Sequence, residues 1–291
     1  MNQACVMTVC TADHFQHYLP LFIRCIRRWG DGVDIRVYVR GKLDVPTRNC
    51  IDCLTDYGIM KGYDFITEDY RTDLPFAQST TNCIRFSMCE PELMEYALVL
   101  ITDIDLLLFN DPFSWHVQMM AETRQPFAGH HGPWRKPYRP EVSKEGWVGA
   151  FERTAGGFFC VEPGKWYPAT AEQRKYQEED MKYGAIGKWR ESDEVMLSKI
   201  IKGSGFKMPM PGGFPLELRG VHLGDFKPSM KHRYTNMAKM QRKLSDENAQ
   251  KYILFQRDIA WQNIVTVLRH DAALAEVLDN LAWHIEQRGL V

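Results

Sequence analysis

The sequence predicts an α/β fold built on a mostly parallel central sheet, and three observations predict it. The chain opens in the order strand, helix, strand: Ala4–Cys10 is a short apolar run, apolar residues recur at helical spacing from Phe15 to Trp29, and Asp34–Arg40 alternates. Ala97–Ile101 is rich in Val, Leu and Ile without alternation, the pattern of a strand buried on both faces. The chain has 291 residues, 45% hydrophobic and 25% charged, so it is long and apolar enough to enclose a sizeable core in this way.

Each further element has its own signal. Asp13 can cap the first helix, Pro20 suits its first turn and Gly30 stops it. Cys50–Tyr57 reads as a short helix, Asp64–Thr67 as a short strand, and Ser79–Met94 as a helix leading into the central strand. Leu106–Phe109 continues as a strand until Asn110-Asp-Pro112, and Trp115–Glu122 is helical. Thr154–Val161 reads as a strand in which Gly156-Gly157 permits close backbone approach. Ala171–Lys182 is a charged helix with a solvated face, and Ser192 caps an amphipathic helix that runs to Ile201. From Ser245 the chain is helical to near Gly289, and Leu274, Val277, Leu278, Leu281 and Ile285 make one apolar stripe of core type.

Composition narrows the setting. A formal net charge of -1 gives no sign of a nucleic-acid partner. The eight cysteines lie mostly in apolar runs, and Cys50-Ile-Asp-Cys53 has no second pair at zinc-site spacing, so free thiols are expected. No apolar run approaches the ~20 residues of a membrane span. Met1-Asn-Gln-Ala leads straight into a strand-like run with no signal-peptide pattern. The expectation is a reduced, cytoplasmic setting.

The chemistry points to Thr102-Asp103-Ile104-Asp105, which ends the central strand. In extended chain Asp103 and Asp105 share a face while Ile104 turns into the core. Neighbouring carboxylates repel unless a cation sits between them, and hard oxygen donors suit Mg²⁺ or Mn²⁺. Strand ends are also where open α/β sheets hold ligands. The competing interpretation is a strand end with two solvated acids, since D-x-D is short and common by chance. Farther on, Arg219-Gly-Val-His-Leu-Gly-Asp-Phe-Lys227 offers an imidazole at His222, a close-approach glycine at Gly224 and a cation for phosphate at Lys227; His222 can equally be a satisfied core histidine. Residues 129–149 set His130, His131, Trp134, Arg135, Lys136, Tyr138, Arg139 and Trp147 among Pro and Gly, suited to sugars and phosphates or simply a solvated loop. The acid-free basic run 230–243 beside an amphipathic helix suits an anionic membrane surface as well as ordinary solvent.

Several stretches together resemble one family. Thr8-Val-Cys-Thr11 with Tyr18, Arg85-Phe86, Thr102-Asp-Ile-Asp105, Ala155-Gly-Gly-Phe158, Ser192-Asp-Glu194 and His222-Leu-Gly-Asp-Phe-Lys227 follow the order and approximate spacing of retaining GT-A glycosyltransferases, most like the glycogenin and lipopolysaccharide galactosyltransferase group of family 8. The resemblance runs to about Pro228. It implies a GT-A catalytic domain over residues 1–228, a Rossmann-like nucleotide-sugar fold; residues 229–291 lie outside the resemblance and read from their own pattern as a helical extension packed on it. The resemblance further implies that Asp103, Asp105 and His222 hold Mn²⁺ (or Mg²⁺) bridging the diphosphate of a nucleotide sugar, UDP-linked by expectation. Lys227 and the Gly224 backbone would hold the same diphosphate, and Thr11 and Tyr18 would lie near the nucleoside. Arg85 would orient the donor. Asp193 would sit by the reacting sugar in a positioning or electrostatic role, with no dedicated covalent nucleophile. Apart from the resemblance, the expected cytoplasmic setting and the basic run suit a glycan, lipid-linked or other hydroxyl acceptor, with peripheral contact on the inner face of a membrane through 230–243.

Two positions depart from the family pattern, Ala155-Gly156-Gly157 for Asn-Ser-Gly and Asp193-Glu194 for Asp-Gln. Both bear on the donor sugar. Two other activities compete: a nucleotidyltransferase on a related fold, disfavoured because Val9-Cys-Thr-Ala-Asp13 lacks its glycine-rich basic signature, and a non-catalytic carbohydrate- or protein-binding domain, disfavoured by the intact Asp103, Asp105, His222 and Lys227 set.

Overall fold

The computed structural model describes residues 4–13, 15–62, 64–76, 78–129, 157–183, 193–207 and 215–290. Its centre is a six-stranded sheet of order β3-β2-β1-β4-β7-β6, made by β1 (Ala4–Thr11), β2 (Asp34–Arg40), β3 (Phe65–Thr67), β4 (Leu98–Thr102), β6 (Phe127–Gly129) and β7 (Phe158–Val161). The first four strands in that order pair in parallel, and β7 runs antiparallel to both β4 and β6. The expected mostly parallel α/β fold is therefore present.

Strand alternation divides the core in two. Val6 and Leu100 face one layer, with α1 (Leu19–Trp29) and α2 (Val45–Asp56). Cys5, Met7, Val9, Val99 and Ile101 face the other, with α3 (Gln78–Ser87), α5 (Pro163–Lys182) and α6 (Asp193–Gly203). Both faces of β1 and β4 are buried, which is why their sequences show no polar alternation. α4 (Phe113–Thr123) lies between β5 (Leu106–Leu107) and β6. The C-terminal helices α7 (Asp246–Phe255), α8 (Ile259–Leu268) and α9 (Ala272–Gln287) share the first layer's core through Phe255, Trp261, Ile264 and the α9 stripe Leu274, Val277, Leu278, Leu281 and Ile285. All eight cysteines are free thiols.

Several local expectations change. Asp13 sits in an exposed turn and is not the N-cap of α1, which is Tyr18; the chain first makes a 3-10 turn, Gln16–Tyr18, and α1 begins after it with Pro20 in its first turn. The second helix starts earlier than Cys50, because Asp44 accepts the Thr47 N–H at 2.8 Å and Pro46 fits the first turn. The segment 79–94 splits into α3 and a 3-10 turn, Pro91–Glu95, since Pro91 has no N–H to continue a helix. Leu106–Leu107 leaves the main sheet and pairs antiparallel with β8 (Val221–His222). The basic run is partly internal: Arg233 and Lys243 point at the buried Asp225, while Lys231, His232 and Lys239 are exposed. The loop 130–149, Gly156 and the Ser192 cap fall outside the described residues.

His116 on α4 is fully buried between the rings of Trp115 and Phe158, with Nδ1 2.7 Å from the Pro112 carbonyl. Burial pushes its pKa down to about 4, against a smaller opposing effect of that carbonyl. The folded value lies below the unfolded one, so the neutral ring's contribution is complete above about pH 6.5 and is lost as pH falls toward 4, roughly 3 kcal/mol in all. We expect the urea stability of wild type to drop between pH 7 and pH 4.5 by about 2–3 kcal/mol more than that of His116→Leu. Equal drops in the two proteins would show that His116 does not carry this acid sensitivity.

Candidate functional site

The C-terminal end of β4 turns sharply at Asp103. The Leu106 N–H donates back to the Asp103 carbonyl at 3.3 Å, so Asp103–Leu106 is a turn rather than continuing strand. Ile104 is buried in the core while Asp103 and Asp105 line one cleft. The common face expected from strand alternation is thus produced by a turn.

His222, more than a hundred positions later, reaches the acids through the β5–β8 ladder. Leu106 pairs with His222 and Leu107 with Val221, and the Leu223 N–H donates to the Asp105 carbonyl at 2.8 Å. Gly220 allows this pairing: at φ +70° it packs so close that a Cβ would lie 1.9 Å from the Leu107 carbonyl oxygen. His222 Nε2 lies 3.3 Å from Asp105 Oδ1, and Lys227 Nζ lies 3.6 Å from Asp105 Oδ2. A Cβ on Gly224 would sit 2.7 Å from Asp105 Oδ2, so this glycine lets the 3-10 turn Leu223–Phe226 pass against the carboxylate.

Asp103 is fixed from two sides. Arg85, buried on α3, donates from Nη1 to Asp103 Oδ1 and from Nη2 to Asp193 Oδ2 at the start of α6. Its pKa is driven up: burial opposes the charge, but Asp103 and Asp193 outweigh it. On the other side Gly157 presents a bare Cα, and a Cβ there would stand 2.1 Å from Asp103 Oδ2. The Gly157 carbonyl also accepts from Thr102 Oγ1 at 2.9 Å and from the Asp103 N–H at 3.2 Å, which is the close approach expected of that glycine.

Thr11 lines the same cleft from the end of β1. Tyr18 is buried behind it, its ring centroid 5.9 Å from Lys227 Nζ. Phe15 comes closer, at 4.7 Å from Nζ, and lines the cleft together with Thr81 and Asn82. The structure thus brings Asp103, Asp105, His222, Lys227, Arg85 and Thr11 to one cleft; Gly224 packs against Asp105 and His222, Asp193 joins through Arg85, and Tyr18 lies behind the cleft.

The donor set suits a hard divalent cation. One ligand atom from each of Asp103, Asp105 and His222 lies within 4.8 Å of the others, the separation that a shared ion with bonds of about 2.0–2.2 Å requires after small adjustment. The cleft also holds buried polar atoms that have no hydrogen-bond partner among the described residues, Thr11 Oγ1 and Arg85 Nε. Burial opposes protonation of His222, but Asp105 and Asp225 raise its pKa well above the ordinary imidazole value. Burial likewise opposes ionisation of Asp105, and His222 and Lys227 hold its carboxyl below the usual range.

Sequence reasoning left Asp225 without a role. It is buried, 3.5 Å from His222 Nδ1, and faces Arg219 at 3.8 Å, Arg233 at 3.4 Å and Lys243. Burial works against its charge, but His222 and Lys243 hold its carboxyl far below the usual range. The readable signal was the basic run 230–243, which contains no acid of its own and therefore calls for a counter-charge elsewhere. Phe15 was taken only as part of an apolar helix face, and nothing in its spacing marks it as the support under Lys227.

The sequence matches no known family profile and no curated protein. Its fold is similar to solved glycosyltransferase structures. Galactosyltransferase LgtC in complex with donor and acceptor sugar analogs is 16% identical, over 67% of this chain and 70% of that one, at a TM-score of 0.44. Core-mannan synthase A from Aspergillus fumigatus, in an Mn/GDP form, is 7% identical over 69% and 70%, also at 0.44. The apo form of glycosyltransferase GlyE from Streptococcus pneumoniae TIGR4 is 11% identical over 93% of this chain and 64% of that one, at 0.46. These likenesses describe the path of the chain and assign no residue a role.

Proposed function

We propose that the chain is a metal-dependent glycosyltransferase of GT-A type that moves a sugar from a nucleotide-diphosphate donor, UDP-linked, to a hydroxyl acceptor with retention of configuration. The observation that carries this reading is the convergence of Asp103, Asp105 and His222 to within 4.8 Å, with the Lys227 ammonium 3.6 Å from Asp105. Two carboxylates and an imidazole beside an ammonium at a strand end form an arrangement suited to a metal-bound diphosphate.

Mn²⁺ or Mg²⁺ held by Asp103, Asp105 and His222 would supply Lewis-acid stabilisation of the departing diphosphate. Lys227, steadied by the Phe15 ring, adds a fixed positive charge where negative charge develops. The 3-10 turn at Gly224 gives a phosphate access to backbone. Thr11 faces the nucleoside end of the cleft, with Tyr18 packed behind it. Arg85 acts as a positioning residue, since its two terminal nitrogens are engaged by Asp103 and Asp193. Asp193, bound by that guanidinium, contributes orientation and field near the sugar. A glycan or lipid-linked acceptor is in keeping with this chemistry, and exposed Lys231, His232 and Lys239 remain available to an anionic lipid surface. No helix among the described residues is long and apolar enough to cross a membrane.

Three outcomes follow. Mn²⁺ with UDP should raise the Tm of wild type above either alone, and Asp105→Asn should abolish the increment; a melting curve unmoved by any nucleotide and metal pair would end the assignment. Lys227→Met should lower kcat for release of sugar from the donor by about 10²–10³-fold while the fold is retained, measured by single-turnover assay. Gly157→Ala should push Asp103 out of place and weaken Mn²⁺ binding by about 10–100-fold in calorimetry, whereas Gly205→Ala, away from the acids, should not.

A further inference from the structure

A second histidine–aspartate cluster lies away from the cleft, where the C-terminal helices meet the first turn of the chain. We propose that His17, Asp44 and His270 form a Zn²⁺ site, with Asp271 as the outer carboxylate that orients His17. The inference is independent of the proposed transferase activity.

One ligand atom from each of His17, Asp44 and His270 lies within 4.8 Å of the others. His17 Nδ1 is hydrogen-bonded to Asp271 Oδ2 and Nε2 faces Asp44 Oδ2 at 2.8 Å; both partners are carboxylates, so a metal bound at Nε2 would replace a proton in the second contact while Asp271 keeps the one on Nδ1. His270 Nδ1 lies 2.8 Å from the Val267 carbonyl, which can only accept; that ring therefore also keeps its proton on Nδ1 and leaves the Nε2 lone pair unused by this bond. Both aspartates are held by helix caps. Asp44 Oδ1 accepts the Thr47 N–H at 2.8 Å and Asp271 Oδ1 accepts the Leu274 N–H at 2.8 Å, leaving each Oδ2 toward His17. The Asp44 N–H donates to Gln16 Oε1 at 2.7 Å, which ties the cap to the residue preceding His17.

These are the parts of a carboxylate–histidine–metal arrangement: two imidazoles whose tautomers are set by outer acceptors, and one carboxylate already anchored through its other oxygen. Two nitrogens and one oxygen are a Zn²⁺ set, distinct from the two-carboxylate set at Asp103 and Asp105, and a water completes the tetrahedron on the open side, where His270 is exposed. The side chain of His17 is only 13% exposed, so its Nε2 is held in place rather than free to swing. A metal there ties the corner between α8 and α9 to the turn at residues 15–18, and so to Phe15, which supports Lys227.

The test uses the full chain, stripped of metal and titrated with Zn²⁺ by calorimetry and with Co²⁺ by visible absorption. Wild type is compared with His270→Ala, Asp44→Asn and Asp105→Asn. His270 is exposed and Asn caps a helix as well as Asp does, so the first two substitutions leave the fold intact, which equal metal-free Tm values verify. One Zn²⁺ site should persist in Asp105→Asn and weaken at least about tenfold in both His270→Ala and Asp44→Asn. The Zn²⁺-induced rise in Tm and the tetrahedral Co²⁺ absorption should follow the same pattern. Zn²⁺ binding indifferent to both substitutions, or lost entirely with Asp105→Asn, would overturn the site and leave His17 as a proton-carrying bridge between two helix caps.

Discussion

Four carboxylates, Asp103, Asp105, Asp193 and Asp225, crowd one end of the sheet, and each faces a cation drawn from another part of the chain. Arg85 from α3 spans Asp103 and Asp193, His222 from β8 lies between Asp105 and Asp225, Lys227 faces Asp105, and Lys243 with Arg233 faces Asp225. Carboxylates this close and this buried are tolerated only with such partners. The site is therefore a balance of charge rather than a set of independent side chains, and a change at one member is felt by its neighbours.

That balance explains why the C-terminal helices belong to the site's architecture. Asp225 is neutralised by His222 together with Lys243 and Arg233 from beyond it, and the turn that carries it is braced by α9: Asn280 donates to the Phe226 carbonyl at 2.9 Å and His284 bonds the Tyr234 carbonyl at 2.8 Å. Phe226 in turn stacks on Tyr234. The segment bearing His222, Gly224 and Lys227 is thus pinned on one side by β5 and on the other by the helices that follow it. Two members of the basic run that suited a membrane surface in sequence, Arg233 and Lys243, are spent on this internal neutralisation.

How much was readable in the sequence follows from how local each signal is. β1 and β2 could be bounded to within a residue because their apolar patterns are set by immediate neighbours on a two-faced sheet. Asp103 and Asp105 stood out because acids interrupt an apolar run. The pairing of Leu106 with His222 was not readable: a two-residue ladder has no periodicity, and its enabling feature, the glycine before Val221, looks like any other turn residue. Asp225 was hidden for a related reason, since its meaning depends on cations up to eighteen positions away that become neighbours only after folding. The early start of α2 was within reach, as Asp44-Val-Pro-Thr47 carries both the cap and the first-turn proline.

The Arg85 clamp also bears on how a sugar would be transferred. A carboxylate that is to attack a sugar carbon needs an unencumbered oxygen facing its target. Asp193 instead gives Oδ2 to a guanidinium that simultaneously holds Asp103. Moving Asp193 toward a substrate would loosen Asp103 and with it the donor set for the metal, so attack and metal binding would compete through one buried arginine. A reaction in which the leaving diphosphate itself assists the incoming hydroxyl makes no such demand. It would leave Arg85 stationary, bound to both Asp103 and Asp193, and would ask of Asp193 only that its charge stay near the sugar.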